Sequence, residues 1–241
     1  LAAAVATVTR NLRLRAGSVV LPLHDPLLVA EQWSVADNLS NGRIGISVAT
    51  GWHVQDFSYA PHNYENRRTV LMENLRTLRA VWRGEKIKRK GGGGVDVQVG
   101  LRPVPVQREL PIWLTATSNP ETFRMAGELG AGVLTGMLAH SFEELKAKVG
   151  LYREAWRRNG HPGRGHITVM LHTFIGTDDR EVLKTVHKPL LGWDGAVGVQ
   201  WGQRDFEAIG AEAFVPASKG DDAGLFWLGQ RPLERDRKYL L

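Results

Sequence analysis

Three short runs in this 241-residue chain carry the groups that ligand chemistry needs. Thr115-Ala116-Thr117-Ser118-Asn119 stands directly before Pro120. Asparagine caps helices, and proline fits a first helical turn. Hydroxyls and backbone N–H groups at a helix start attract anions. A plain helix cap is the competing reading of the same residues. Ala49-Thr50-Gly51-Trp52 ends a short apolar run. Small residues there let backbone approach a ligand closely, while Trp52 walls a pocket or joins the core. Gly17-Ser18 closes another run, where glycine suits a bulge.

Histidine supplies the candidate proton carrier. His172 sits mid-way along Ile167 to Ile175 (ITVMLHTFI), flanked by apolar residues. An imidazole there can hydrogen-bond a substrate or shuttle a proton; a hydrogen-bonded core histidine is the alternative. His24 and His53 lie in loops and are weaker candidates. His140, His161 and His166 lack ligand spacing, so no metal is expected. The chain has no cysteine, which excludes disulfides, cysteine metal sites and thiol nucleophiles.

The elements that would position these groups follow from periodicity. Leu12 to Leu21 is apolar and β-branched and reads as a strand ending at Pro22. Pro26 opens a helix that Asn41-Gly42 ends. Arg43 to Val48 is a second strand. Asn63 to Trp82 reads as a long helix with the stripe Leu71, Leu75, Leu78 and Trp82. Lys86 to Lys90 reads as a solvated basic loop, and Gly91 to Gly94 as a flexible or inserted one. Pro111 to Thr115 is a third strand, followed by the helix that Asn119-Pro120 begins. Val133-Leu134 is a fourth. Ser141 and Glu144 form a capping box, and the helix behind it carries Phe142, Leu145, Val149, Tyr152 and Trp156. Ile167 to Ile175 is a fifth strand, and Thr177-Asp178 begins another helix. Such alternation of strand and helix implies parallel strands with helical crossovers. No glycine fingerprint follows the first strand, which disfavours a dinucleotide-binding sheet. Residues 189–241 show little periodicity and read as a divergent tail.

Composition sets the remaining bounds. Apolar residues are 43% and charged residues 23%, ordinary for a globular domain. The formal charge is +6, but the basic residues are scattered and no aromatic interleaving accompanies them, so no nucleic-acid partner is expected. No apolar run approaches the ~20 residues of a membrane span, and none follows a basic stretch as a secretory leader would. A cytoplasmic location fits. The lack of an initiating methionine suggests a start inside a longer protein.

The order of these motifs resembles the bacterial-luciferase-like flavin-dependent monooxygenases, in the branch found in natural-product biosynthesis. The resemblance rests on Leu21-Pro22 with Pro26, Ala30-Glu31, Asp37, Leu39-Ser40, Gly42-Arg43 and Gly51-Trp52. It continues through Tyr64, Arg67-Arg68, Glu73, Val81-Trp82-Arg83-Gly84, Pro103, Pro105, Gln107, Leu110-Pro111 and Ser118-Asn119-Pro120-Glu121-Thr122, and reaches His172-Thr173-Phe174. It implies an α/β fold of the (β/α)8 TIM-barrel type, incomplete here and corresponding to strands three through seven, within residues 1–188. It also implies that reduced FMN and O2 oxygenate a small organic substrate, free or bound to a carrier protein. A flavin reductase and a second copy of the chain are the partners it suggests. On this basis Ala116, Thr117, Ser118, Asn119 and Thr122 would meet the flavin phosphate, and Ala49, Thr50, Gly51 and Trp52 would line the flavin slot. Gly17-Ser18 would brace the ring through a non-prolyl cis peptide, with His172 facing the reacting centre. Thr50 stands where luciferases carry a phosphate-clamping arginine. Two alternatives stay open: a deazaflavin-dependent hydride-transfer enzyme, and a truncated barrel without activity of its own.

Overall fold

In the computed structural model the chain forms two compact units, Leu1–Thr115 and Ala116–Leu241. Residues 1–136 and 141–170 are described, with two further strands at 196–201 and 225–230.

The first unit runs α1 (Ala2–Val8), β1 (Leu14–Val20), α2 (Pro26–Ser40), β2 (Ile44–Ala49), α3 (Arg67–Trp82), β3 (Ile87–Lys90), β4 (Asp96–Val99) and β5 (Ile112–Thr115). β2 pairs in parallel with β1 on one side and β5 on the other. The helical crossovers α2 and α3 make this a β/α repeat. One face of these strands is aliphatic: Ile44, Ile46, Val48, Ile112 and Leu114 are buried. Each such side chain contributes about 1.5–3 kcal/mol. The opposite face carries Arg15, Gly45, Ser47, Trp113 and Thr115, because strand side chains alternate.

The chain ends its helices as its residues dictate. The Leu27 N–H donates to Asp25 Oδ1 at 2.8 Å, capping α2 ahead of Pro26. Asn41 (φ 53°) and Gly42 (φ 79°) turn the chain out of it. Asp37, fully buried in α2, accepts from Gln107 N at 2.9 Å and Gln107 Nε2 at 2.7 Å. That pair ties α2 to the segment before β5, and Gln107 O takes the Trp82 indole N–H at 2.9 Å. Arg43 anchors α1. Its guanidinium donates to Ala6 O, Thr9 O, Thr9 Oγ1, Leu12 O and Ser40 O at 2.5–3.1 Å.

Two expectations shift. The long helix begins at Arg67, not Asn63; Pro61–Asn63 is a 3-10 turn. Asn63 Nδ2 donates to Pro22 O at 2.7 Å, which holds that segment beside the strand-end loop. The basic stretch is not a loop: β3 and β4 form an antiparallel hairpin whose turn is the glycine run. Val97 and Val99 lie opposite Arg89 and Ile87, and Lys90 pairs with Asp96 at 2.6 Å. Arg89 forks onto both carboxylate oxygens of Asp25, at 2.9 and 2.8 Å.

The second unit runs α4 (Pro120–Glu128), β6 (Gly132–Gly136), α5 (Phe142–Arg158) and β7 (Ile167–Met170), then β8 (Ala196–Trp201) and β9 (Leu225–Gln230). β6 and β7 are parallel, Val133 opposite Ile167; β8 and β9 pair antiparallel. The capping box of Ser141 and Glu144 is formed. α5 buries Leu145, Val149, Tyr152 and Ala155. The expected strand to Ile175 is described as far as Met170. His172, the helix at Thr177-Asp178 and most of the tail lie outside the described residues.

Tyr152 fastens α5 to the strand starts. Its hydroxyl donates to Ala131 O at 3.1 Å and accepts the His166 N–H at 3.0 Å. Burial pushes this phenol up from its ordinary value near 10 to about 12, partly offset by the His166 backbone contact. The folded chain therefore holds this proton more tightly than the unfolded one. That stabilisation is complete below pH 10 and is lost as pH rises through 12. Thermal melts across this window are expected to fall for the native chain and to fall less for Tyr152→Phe. Parallel curves for the two proteins would refute the assignment.

Candidate functional site

In the first unit, the C-terminal ends of β1, β2 and β5 bring several of the expected residues together. The Gly17–Ser18 peptide is cis. It lies where the β1–β2 register shifts, between Ala16 and Val19, so the bulge and the cis bond coincide. Beyond it, Val20 pairs with Ala49. The Ser18 hydroxyl is exposed and sits 2.5 Å from Thr115 Oγ1. Thr115 Oγ1 in turn lies 2.6 Å from Ser47 Oγ. Ser47 is buried, and its hydroxyl also points to Trp113 O at 3.4 Å.

Sequence reasoning named Ser18 but passed over Ser47 and gave Thr115 no role beyond its loop. A signal was present. Ser47 is the lone hydroxyl in the aliphatic strand Ile44 to Ala49, and a buried hydroxyl needs a partner.

The turn after β2 is built for shape. Gly51 has φ 76°, a region that favours glycine. A Cβ there would meet Val20 Cγ1 at 2.7 Å and Phe57 Cε2 at 3.0 Å. Packing therefore demands this glycine whether or not a ligand approaches. Ala49 and Thr50 are half-buried. Trp52 is 76% exposed, which rules out the core reading. Its indole lies against the His53 ring, centroids 3.6 Å apart and the planes tilted by 32°. Asn74 Nδ2 reaches Leu21 O at 3.3 Å and His24 O at 3.2 Å, and with Asn63 fixes the loop after β1. His24 is exposed in that loop.

Below this rim the same sheet face holds a stacked pair. The Arg15 guanidinium lies 4.9 Å above the Trp113 ring and donates to Arg43 O at 3.1 Å. Burial, with the nearby Arg13 charge, lowers the Arg15 pKa. Only glycine fits between them: a Cβ on Gly45 would come 2.8 Å from Trp113 Cζ3 and 3.0 Å from Arg15 Nη1.

In the second unit, the turn into α4 combines cap and exposed hydroxyls. The Glu121 N–H donates to Asn119 Oδ1 at 3.0 Å, and the Thr122 N–H to Asn119 O at 3.2 Å. Asn119 thus serves as the helix cap. Ala116 is buried, with its N–H on Leu134 O at 2.8 Å. Thr117 and Ser118 are exposed, and Thr122 is half-buried. The exposed hydroxyls at this helix start fit an anion. Among the described residues no group of three or more His, Cys, Asp or Glu could hold a metal ion. No helix there is long and apolar enough to cross a membrane.

The sequence model of the family described as luciferase-like monooxygenase matches residues 1–234. An uncharacterized protein of Mycobacterium tuberculosis is 28% identical over 215 residues, which are 88% of this chain and 71% of that protein. The oxygenase component of the flavin-dependent trigonelline monooxygenase of Acinetobacter baylyi is 25% identical over 73% of this chain, and is itself covered to 49%. Among solved structures, the oxygenating constituent of 3,6-diketocamphane monooxygenase from Pseudomonas putida, in complex with FMN, superposes with a TM-score of 0.67. It is 21% identical, over 80% of this chain and 56% of its own. That likeness shows the fold: an incomplete (β/α) barrel.

Proposed function

Since the chain belongs to the luciferase-like monooxygenase family, we propose that it binds FMN and serves in the oxygenation of a small organic substrate by reduced flavin and O2. The observation that carries this reading is the exposed Ser18 hydroxyl, held by Thr115 at the strand ends. In barrels of this type ligands lie at those ends. Ser18 would hydrogen-bond the flavin ring, and the exposed Trp52 would present a flat apolar face to it. Taken by itself, the start of α4 in the second unit offers the Thr117 and Ser118 hydroxyls to a phosphate group. Thr50 would supply one neutral hydroxyl. His172 would hold or move a proton. Bound FMN, once reduced, supplies the oxygen-activating chemistry. The residues here would bind it and orient it.

A separate flavin reductase would feed the site, in keeping with a relative that is named as an oxygenase component. A carrier-bound substrate and a role in natural-product biosynthesis belong to the same proposal.

Titration of the purified chain with FMN, followed by quenching of flavin fluorescence, tests the reading. Saturable binding in the micromolar range or tighter is expected, with visible flavin absorbance retained after gel filtration. Preferential binding of a deazaflavin would move the assignment to hydride transfer. Binding of neither would leave a barrel segment without a cofactor of its own.

A further inference from the structure

The three hydroxyls of the first unit form a graded row. Ser47 is 2% exposed, Thr115 is half-buried and Ser18 is open. The contacts, 2.6 Å from Ser47 to Thr115 and 2.5 Å from Thr115 to Ser18, run from the interior to the surface. Either atom of each contact can be the donor.

A hydroxyl donates once and accepts up to twice. Three hydroxyls carry three protons, and the two contacts use two. Where Thr115 donates along the row, the third proton sits at one end. Placed inside, it points from Ser47 to Trp113 O, 3.4 Å away; Ser18 then donates inward and offers lone pairs to a ligand. Placed outside, Ser47 donates to Thr115, Thr115 to Ser18, and Ser18 donates to the ligand. The two arrangements differ only by rotation about three C–O bonds, with no heavy atom displaced.

We propose that Ser47 and Thr115 are positioning residues that make the Ser18 hydroxyl a reversible contact, donor or acceptor as the ligand requires. This rests on the flavin reading and sharpens it. Such a contact suits a ring nitrogen that accepts a hydrogen bond when oxidised and carries a proton when reduced. On two-electron reduction an isoalloxazine nitrogen takes up a proton in this way. A deazaflavin has carbon at the equivalent place and gains nothing from the reversal.

The two inner residues differ in their effects. Removing the Ser47 hydroxyl leaves the Thr115 proton without an acceptor in the arrangement where Ser18 accepts. In the opposite arrangement it only empties a lone pair on Thr115. A buried orphan donor costs more than an unfilled acceptor. Ser47→Ala therefore penalises the reduced ligand selectively. Thr115→Val cuts the row in both arrangements, and Thr115→Ser keeps it.

The experiment is anaerobic titration of the chain and these variants with oxidised FMN and, separately, with dithionite-reduced FMN. Ser47→Ala is expected to raise the ratio of reduced to oxidised dissociation constants by about threefold or more. Thr115→Val is expected to weaken both forms by about three- to tenfold, and Thr115→Ser to bind like the native chain. A purely structural role would move both constants together in Ser47→Ala, and that result would overturn the proposal while leaving the flavin reading intact. Native-strength binding by Thr115→Val would do the same. Should Thr115→Val not fold, the Ser47→Ala ratio decides alone. Failure of the native chain to bind either form would overturn both this proposal and the flavin reading.

Discussion

Gly127→Ala is expected to destabilise the chain by up to about 2 kcal/mol, although alanine is the better helix former. Gly127 lies within α4, where propensity alone would favour alanine by about 1 kcal/mol. The opposing term is contact with α5. A Cβ at this position would overlap the Tyr152 carbonyl oxygen and come 2.8 Å from Ala155 Cβ and 2.9 Å from Trp156 N. Two of those atoms are helix backbone and cannot swing aside, so α4 and α5 would have to separate. Overpacking of this kind costs about 1–3 kcal/mol and occasionally more. Gly150, in α5, gives the contrast. Nothing lies within 4 Å of a Cβ there, so Gly150→Ala is expected to be neutral or to gain up to about 1 kcal/mol. Denaturant midpoints at constant slope would measure both. Equal stability of the two variants would mean that α4 and α5 do not approach as described.

Arg43→Met is expected to cost about 3 kcal/mol and to loosen α1. A single guanidinium holds four backbone carbonyls and one hydroxyl across Ala6, Thr9, Leu12 and Ser40. Hydrogen bonds to a charged donor contribute about 1.5–3 kcal/mol each, and they do not add when they share one group. Methionine keeps the apolar stem and removes every donor. Lysine keeps the charge but not the planar fork, so Arg43→Lys is expected to recover only part of the loss. Trypsin cleavage at the exposed Arg10 and Arg13 reports the release of α1. It should accelerate in Arg43→Met well before global unfolding. An unchanged cleavage rate would show that α1 is held by other contacts.

How much could be read in advance depended on whether local chemistry decided the outcome. The β/α alternation was legible because each buried strand is short and apolar and each helix carries its own stripe. Asp25, Asn41-Gly42, Asn119 and Ser141 set their helix ends locally, and those ends fall where the residues imply. The β3–β4 hairpin was not legible. Its first strand is almost wholly cationic (Ile87 to Lys90), and it is held by Asp25, more than sixty residues earlier. Long-range pairing leaves no periodic trace.

Residues that carry family resemblance proved to do different kinds of work. Asp37 and Gln107 tie elements together, as does Arg43, and Gly51 answers to Val20 and Phe57. Ser18 stands open at the strand ends. Sequence alone could not separate these roles, since a conformational need and a ligand need select the same small residues. Ser47 was hidden because a serine within an apolar strand becomes meaningful only when its cross-strand neighbour is known.

The glycine turn of the hairpin offers a practical opening. A side chain at Gly92 would meet nothing within 4 Å, and, unlike Gly93 and Gly94, its backbone does not occupy the left-handed region. With no cysteine anywhere in the sequence, a thiol placed at Gly92 would be the sole reactive sulfur. A fluorophore or spin probe could be attached there at one defined point, leaving the strand-end hydroxyls chemically untouched.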